Sequence, residues 1–201
     1  MTLLVGCANE SIFDTTTIEA MFRFRHRIFH DRLGWDVHSE LEMEFDIYDH
    51  LRPHYMIAKD GEDDVKGCWR FLPTTGPYML RDTFPVLLQG QQAPRQDNIW
   101  ELSRFAVDEG DCGMNGQVQM HGTTMEMIRQ VVYFAKERNI DHYVTVTSVS
   151  LERMLRRAGI PMRRFGNGRA TRIGKVLTIA CWIDVSDLAQ AVLGDKWKVA
   201  A

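Results

Sequence analysis

The segment Trp100-Glu101-Leu102-Ser103-Arg104-Phe105-Ala106-Val107 sets a carboxylate and a guanidinium three positions apart in a run of strand-forming, apolar residues. Burying both would cost several kcal/mol per ion unless each pairs or meets a ligand. In a regular strand, positions i and i+3 point to opposite faces, so Glu101 and Arg104 would not simply neutralise each other. Two further guanidiniums fall in apolar surroundings: Arg25 within a helical stripe, and Arg70 among Cys68, Trp69, Phe71 and Leu72. An acidic stretch carries Asp36, Glu40, Glu42, Glu44, Asp46 and Asp49. Each charge alone fits an ordinary structural ion pair. Together they describe a pocket lined by both signs, suited to a zwitterionic ligand.

The elements that must position these groups follow from periodicity. Leu3 to Cys7 reads as a buried strand. Asp14 and Thr15–Thr17 can cap a helix, with Thr16-x-x-Glu19 as a capping box. Ile18, Met21, Phe22, Arg25, Ile28, Phe29 and Leu33 keep helical spacing up to a stop at Gly34. An arginine inside that stripe either meets an anion or snorkels to the surface. Residues 35–54 read as a long ordered loop. Tyr55–Lys59 and Val65–Leu72 form a hairpin, residues 78–96 are turn-rich with one helical turn near Met79–Thr83, and Trp100–Val107 is the third main strand. Val118, His121, Met125, Ile128, Val132 and Ala135 mark an amphipathic helix. Strand Tyr143–Thr147, a short helix Leu151–Ala158 stopped by Gly159, and strand Val176–Ile183 follow. Strands alternating with single helices argue for one α/β domain with a mixed sheet flanked by helices.

Composition bounds the remainder. The 201 residues are 45% hydrophobic and 25% charged, enough for one sizeable core. A formal net charge of -3 gives no global drive toward nucleic acid or an anionic membrane. No apolar run approaches the roughly 20 residues that span a bilayer. Leu4-Val5-Gly6-Cys7 looks like a lipoprotein processing box, but it lacks a basic n-region and a full apolar h-region, so a first strand is expected instead. Cys7, Cys68, Cys112 and Cys181 are scattered, with neither a disulfide framework nor zinc spacing, which points to a reducing cytoplasm.

The charged positions fall in a recognisable order. Arg25-x-x-x-Phe29, Leu33-Gly34-Trp35, Glu44-x-Asp46-x-x-Asp49, Arg70-x-Leu72-Pro73, Phe84-Pro85 and Glu101-Leu102-Ser103-Arg104 keep their sequence and spacing over the first half of the chain. On these motifs the chain resembles the acyl-homoserine lactone synthases, the LuxI-type autoinducer synthases. The second half is similar more loosely, through Val144–Thr147 and Arg157-Ala158-Gly159. The resemblance implies one autoinducer synthase domain over residues 1–201, with the twisted mixed sheet of the GCN5-related acetyltransferases. It implies S-adenosylmethionine and an acyl-acyl carrier protein (or acyl-CoA) as substrates, with no cofactor. Glu101 would then be the general base, with Arg25, Arg70, Arg104, Asp46 and Asp49 organising the site. Phe29, Arg32, Trp35, Phe105 and Val107 would contact S-adenosylmethionine, the aromatics partly by cation–π attraction.

Further signals are weaker. Thr145 and Thr147 share one strand face, and the resemblance places that face on the acyl pocket, although threonine is also simply a good strand former. Arg153, Arg156, Arg157, Arg163, Arg164, Arg169, Arg172 and Lys175 form a stretch without Asp or Glu. Through Arg153 and Arg157 it could dock an acidic carrier protein, or it could be a solvated face. His26 and His30, like His50 and His54, have helical metal spacing, but no H-E-x-x-H motif or cysteine accompanies them, so no metal is expected. The rival enzyme reading is an acetyl-CoA-dependent N-acetyltransferase. Its pyrophosphate loop would fall at Gly110–Gly116, which lacks a basic residue and carries an acid. A nucleic-acid-binding regulator would leave Glu101 and Arg70 unexplained.

Overall fold

The computed structural model describes residues 1–61, 64–108 and 122–194. In chain order these give β1 (Thr2–Cys7), α1 (Thr15–Arg25), a π-helical turn (His26–Arg32), β2 (Ser39–Glu40), β3 (Met43–Glu44), a 3₁₀ turn (Ile47–Leu51), β4 (His54–Lys59) and β5 (Val65–Pro73). Then come α2 (Met79–Asp82), a 3₁₀ turn (Pro85–Leu88), β6 (Ile99–Val107), α3 (Gly122–Glu137), β7 (His142–Ser148), α4 (Val149–Arg157), β8 (Arg163–Arg164), β9 (Thr171–Ile173), β10 (Val176–Asp184) and α5 (Val185–Leu193). The chain divides into two compact units, and β5 and β6 each contribute to both.

The first unit holds Met1–Phe71 and the end of β6 from Ser103. Its sheet runs β1-β4-β5-β6, with β1 antiparallel to β4 (Thr2 opposite Lys59) and β4 antiparallel to β5 (His54 opposite Phe71). Met21, Phe24, Ile28 and Phe29 from the helical segment bury against Tyr55, Ile57, Val65, Cys68 and Ala106 from the strands. Asp14 caps α1 by accepting the Thr17 amide N–H at 2.7 Å. The expected Thr16–Glu19 capping box does not form, because the helix already begins at Thr15 and Thr16 lies inside its first turn; Glu19 pairs with Arg23 at 3.1 Å. The expected single helix changes character after Arg25: the Leu33 N–H reaches back five residues to the Ile28 carbonyl, the hydrogen bond of a π-turn. The expected loop over 35–54 contains a two-strand hairpin and a 3₁₀ turn.

The second unit holds Leu72–Leu102 and the described residues from 122 onward. Here β6 runs parallel to β7 (Ile99 opposite His142), and β10 is antiparallel to β7 and carries β8 and β9. Strands of both senses make a mixed α/β sheet, as expected. The apolar face of α3 buries Met127, Ile128, Val131, Val132 and Ala135. The Val118 and His121 positions assigned to this helix lie outside the described residues. Gly159, with φ +85°, takes the left-handed conformation that ends α4. Helix α5 was not expected from periodicity; Asp184 caps it by accepting the Ser186 and Asp187 N–H groups. No helix among the described residues is long and apolar enough to cross a membrane.

Candidate active site

Arg25 ends α1 with its side chain fully buried. Its Nε donates to Glu44 Oε2 at 2.5 Å, and its two terminal nitrogens fork onto Asp49 at 2.9 and 3.0 Å. Arg70, also fully buried on β5, forks onto Asp46 at 2.6 and 3.0 Å and donates to Asp49 Oδ1 at 2.8 Å. Arg104 donates to Glu44 Oε1 at 2.9 Å and to Asp46 Oδ2 at 2.8 Å. Each arginine therefore bridges two carboxylates and each carboxylate bridges two arginines. The six close a ring, Arg25–Glu44–Arg104–Asp46–Arg70–Asp49, with three charges of each sign. The ring settles the reading of Arg25: it meets anions and does not snorkel.

Local structure fixes the ring from several sides. Asp46 and Asp49 form a reciprocal capping box on the 3₁₀ turn: Asp46 accepts the Tyr48 N–H at 2.9 Å, and Asp49 accepts the Asp46 N–H at 2.8 Å. The Tyr55 hydroxyl donates to Asp49 Oδ1 at 2.6 Å, and the Arg70 Nε donates to Ser103 Oγ at 3.1 Å. Arg104 sits at φ +57°, a left-handed conformation that is strained for a residue with a Cβ. That turn breaks the strand's alternation, so Ser103 and Arg104 both reach the network although they are neighbours in sequence. The expectation that Glu101 and Arg104 occupy opposite faces rested on an unbroken alternation, which β6 does not keep.

Burial and charge set the protonation. Burial alone would drive Asp49 neutral, but Arg25 and Arg70 hold its carboxyl well below the usual range. Burial likewise opposes the Arg25 cation, and Asp49 with Glu44 outweighs it. Beside the ring, burial pushes the Cys68 thiol up to about 12, so no thiolate nucleophile forms there at neutral pH. Exposure is uneven around the ring: Arg25, Glu44 and Arg70 are closed off, while Asp46 and Arg104 keep 17% and 12% of their side chains accessible. That edge is where a ligand could reach the charges. Phe29 stacks on Trp35 with ring centres 5.1 Å apart, and the Arg104 guanidinium lies 5.7 Å over Phe29. Phe105 packs instead on Trp69 at 4.6 Å, Val107 is half-buried, and Arg32 is exposed.

In the second unit Glu101 is fully buried, and its two oxygens accept the Leu80 and Met79 N–H groups at 2.7 and 2.9 Å. It thus supplies the cap that the start of α2 lacks locally, since Tyr78 makes no side-chain cap bond. Thr147 on β7 is buried and its hydroxyl has no hydrogen-bond partner among the described residues, whereas Thr145 is half-buried. The basic stretch is not uniform. Arg156 and Arg164 clasp the buried Glu152, at 2.8 and 2.6 Å, while Arg153 and Arg157 are exposed.

Known proteins match most of the chain. The sequence profile of the autoinducer synthases matches residues 9–193. The chain belongs to the autoinducer synthase family. An acyl-homoserine-lactone synthase of Pseudomonas aeruginosa is 40% identical over 193 residues, covering 95% of this chain and 94% of the relative. One from Vibrio anguillarum is 39% identical over 172 residues, covering 86% and 88%. The crystal structure of the AHL synthase LasI superposes with a TM-score of 0.82 at 40% identity, over 96% of this chain and 94% of that one. TofI, solved with an inhibitor and MTA, gives 0.77 at 34% identity, over 97% and 98%. At the level of fold alone, a Lactobacillus plantarum protein proposed to be an N-acetyltransferase aligns at 11% identity with a TM-score of 0.58. Membership makes the chain an acyltransferase on an acetyltransferase-like sheet.

Sequence reasoning gave no role in this network to three of its members, Glu44, Tyr55 and Ser103. Glu44 was legible, since Glu44-x-Asp46-x-x-Asp49 presents it in the same motif as the other two acids. Tyr55 carried only its strand alternation, and Ser103 only its place in Glu101-Leu102-Ser103-Arg104.

Proposed function

We propose that the protein makes an N-acyl-homoserine lactone from S-adenosylmethionine and an acyl-acyl carrier protein. The amine of S-adenosylmethionine loses a proton, attacks the thioester carbonyl, and displaces the carrier's thiol to leave an amide. The carboxylate of the same molecule then attacks the carbon beside the sulfonium. The carbon–sulfur bond breaks, the lactone closes, and neutral methylthioadenosine departs. Sulfonium is a good leaving group, so the second step needs positioning more than acid catalysis.

The observation that carries this reading is the closed ring with its accessible Asp46–Arg104 edge beside the Phe29–Trp35 stack. Six charges that neutralise one another leave a rigid, preorganised rim. A zwitterionic cation can meet carboxylate and guanidinium there without either side chain having to reorganise. Phe29, Arg32, Trp35, Phe105 and Val107 are the proposed S-adenosylmethionine contacts, and Thr145 and Thr147 the acyl-pocket contacts. Glu101 is the proposed base, directly or through one water. Two backbone N–H groups already bind its oxygens, so it also orients α2. Arg153 and Arg157 are the proposed carrier-protein contacts, with the enzyme acting in the cytoplasm as one synthase domain over the whole chain. No cofactor is called for.

The test is incubation with S-adenosylmethionine and a panel of acyl-carrier proteins, with matched acyl-CoA donors in parallel. Lactone and methylthioadenosine are followed by mass spectrometry. Equal amounts of both products from a carrier-protein donor are expected. Folded protein that yields no lactone from any donor overturns the proposal; lactone from acyl-CoA alone overturns the choice of donor.

A further inference from the structure

The π-turn after α1 gathers a cluster that the ring does not use. His30 Nδ1 lies 2.8 Å from Asp31 Oδ1, and His26 Nε2 lies 3.4 Å from the same oxygen. One potential ligating atom from each of the three residues falls within 4.8 Å of the others. In an α-helix, residue i+5 stands about 140° around the axis from residue i, so Asp31 could not share a face with His26. The wider π-turn places residues four and five along above the first. It is this departure from α-geometry that adds a carboxylate to the histidine pair.

A second contact orients His26. The Ser39 hydroxyl lies 2.5 Å from His26 Nδ1 and 3.1 Å from the Met43 carbonyl. A carbonyl only accepts, so when the single hydroxyl proton goes to Met43, Nδ1 is the donor to Ser39. That leaves the lone pair of His26 on Nε2, the nitrogen facing Asp31. A histidine whose outer nitrogen donates to a fixed oxygen, with its inner nitrogen aimed at a shared centre, is arranged as a metal ligand.

We propose that His26 Nε2, His30 and Asp31 form a surface site for a divalent transition cation of the zinc type, with water completing the coordination. Two imidazoles and one carboxylate suit that class better than Mg²⁺ or Ca²⁺, which favour oxygen-only shells. Zinc bonds of about 2.0–2.2 Å put tetrahedral ligands roughly 3.3 Å apart, so the His26–Asp31 separation already fits. The two imidazoles now stack nearly parallel, with centres 4.7 Å apart. A metal lies in the plane of each ring it binds, so the rings tilt apart on binding. His30 and Asp31 are each about half exposed, which gives the ion an open path.

The whole protein, stripped with chelator, is titrated with Zn²⁺ by calorimetry and with Co²⁺ by visible absorption. One site per chain is expected. His30→Ala and Asp31→Asn should each weaken it at least about tenfold, and Ser39→Ala about tenfold through loss of the His26 anchor. His50→Ala, in the other i, i+4 histidine pair, should leave it unchanged. Both ligand variants change exposed side chains, so melting curves should confirm intact folds. Failure to bind Zn²⁺, or binding indifferent to His30→Ala and Asp31→Asn, overturns the site.

Discussion

Two arginine–carboxylate clusters in this molecule use the same chemistry with different consequences. In the ring, three arginines and three acids are cross-bridged, and four of the six are almost wholly withdrawn from water. Around Glu152, a single buried acid is clasped by Arg156 and Arg164, whose side chains stay 46% and 29% exposed. In the ring every charge depends on two opposite charges in a poorly screened setting. In the Glu152 cluster, water screens both cations and either can leave without stranding the other. Pairing alone therefore does not distinguish a site from a brace; closure and burial do. Holding six charges in a strained, mutually dependent ring, when apolar residues would pack as well, is the mark of a function.

The sharpest way to break the comparison is to remove one ring member. Arg25→Met leaves Glu44 and Asp49 each short of a partner in a buried place, and a loss of about 3–5 kcal/mol in urea unfolding is expected. A loss below about 1 kcal/mol would show that the ring is no more interdependent than the Glu152 clasp. The next largest effect belongs to Glu101→Gln. The amide keeps one acceptor but turns an NH₂ group toward one of the two N–H donors of α2. A destabilisation of about 1–3 kcal/mol should therefore accompany the loss of acyl transfer. Activity lost with stability unchanged would separate the catalytic role from the capping role; activity retained would remove Glu101 as the base.

Acid should dismantle the ring as well. The carboxyl of Asp49 is depressed in the folded state, so its contribution is fully present above its unfolded value of about 3.9 and fades as pH falls toward the folded value. Denaturant midpoints should stay level from neutral pH to about 5 and fall below 4. Asp49→Asn should flatten that fall, while Glu152→Gln should change it less, because the Glu152 carboxyl is lowered chiefly by one hydrogen-bonded partner, Arg164.

The pattern of success in reading the sequence follows from the same physics. The central strands were legible because apolar alternation and turn residues bracket them, the ring arginines because charges in apolar runs are rare, and Asp46 and Asp49 because they share a spaced acidic motif. The π-turn was not legible: His26 to Arg32 continues the spacing of α1, and only backbone hydrogen bonds distinguish a reach of four residues from a reach of five. The left-handed Arg104 was hidden for a similar reason. Nothing in Ser103-Arg104-Phe105 signals positive φ, and the conformation is held by Glu44 and Asp46, about sixty positions away in sequence. The 3₁₀ turn at Ile47 was not legible although its Asp46/Asp49 capping box lies in the sequence, because two acids within an acidic stretch read equally as solvated charges and as caps.

The smallest expected change in stability makes the cleanest test of the other cluster's surroundings. Arg164→Ala removes one clasp on Glu152, and a loss of about 1 kcal/mol is expected because Arg156 remains. Arg153→Ala and Arg157→Ala alter exposed side chains on the same helical stretch without touching that clasp, so stability should stay within about 0.5 kcal/mol. If the two arginines meet an acidic carrier protein, the double variant should raise the KM for acyl-carrier protein at low salt, leave the KM for S-adenosylmethionine unchanged, and lose its defect as salt screens the attraction. A matched rise in both KM values would point to a disturbed fold. No rise in either would leave these cations as a solvated face, and the Glu152 clasp as a brace for a helix that docks nothing.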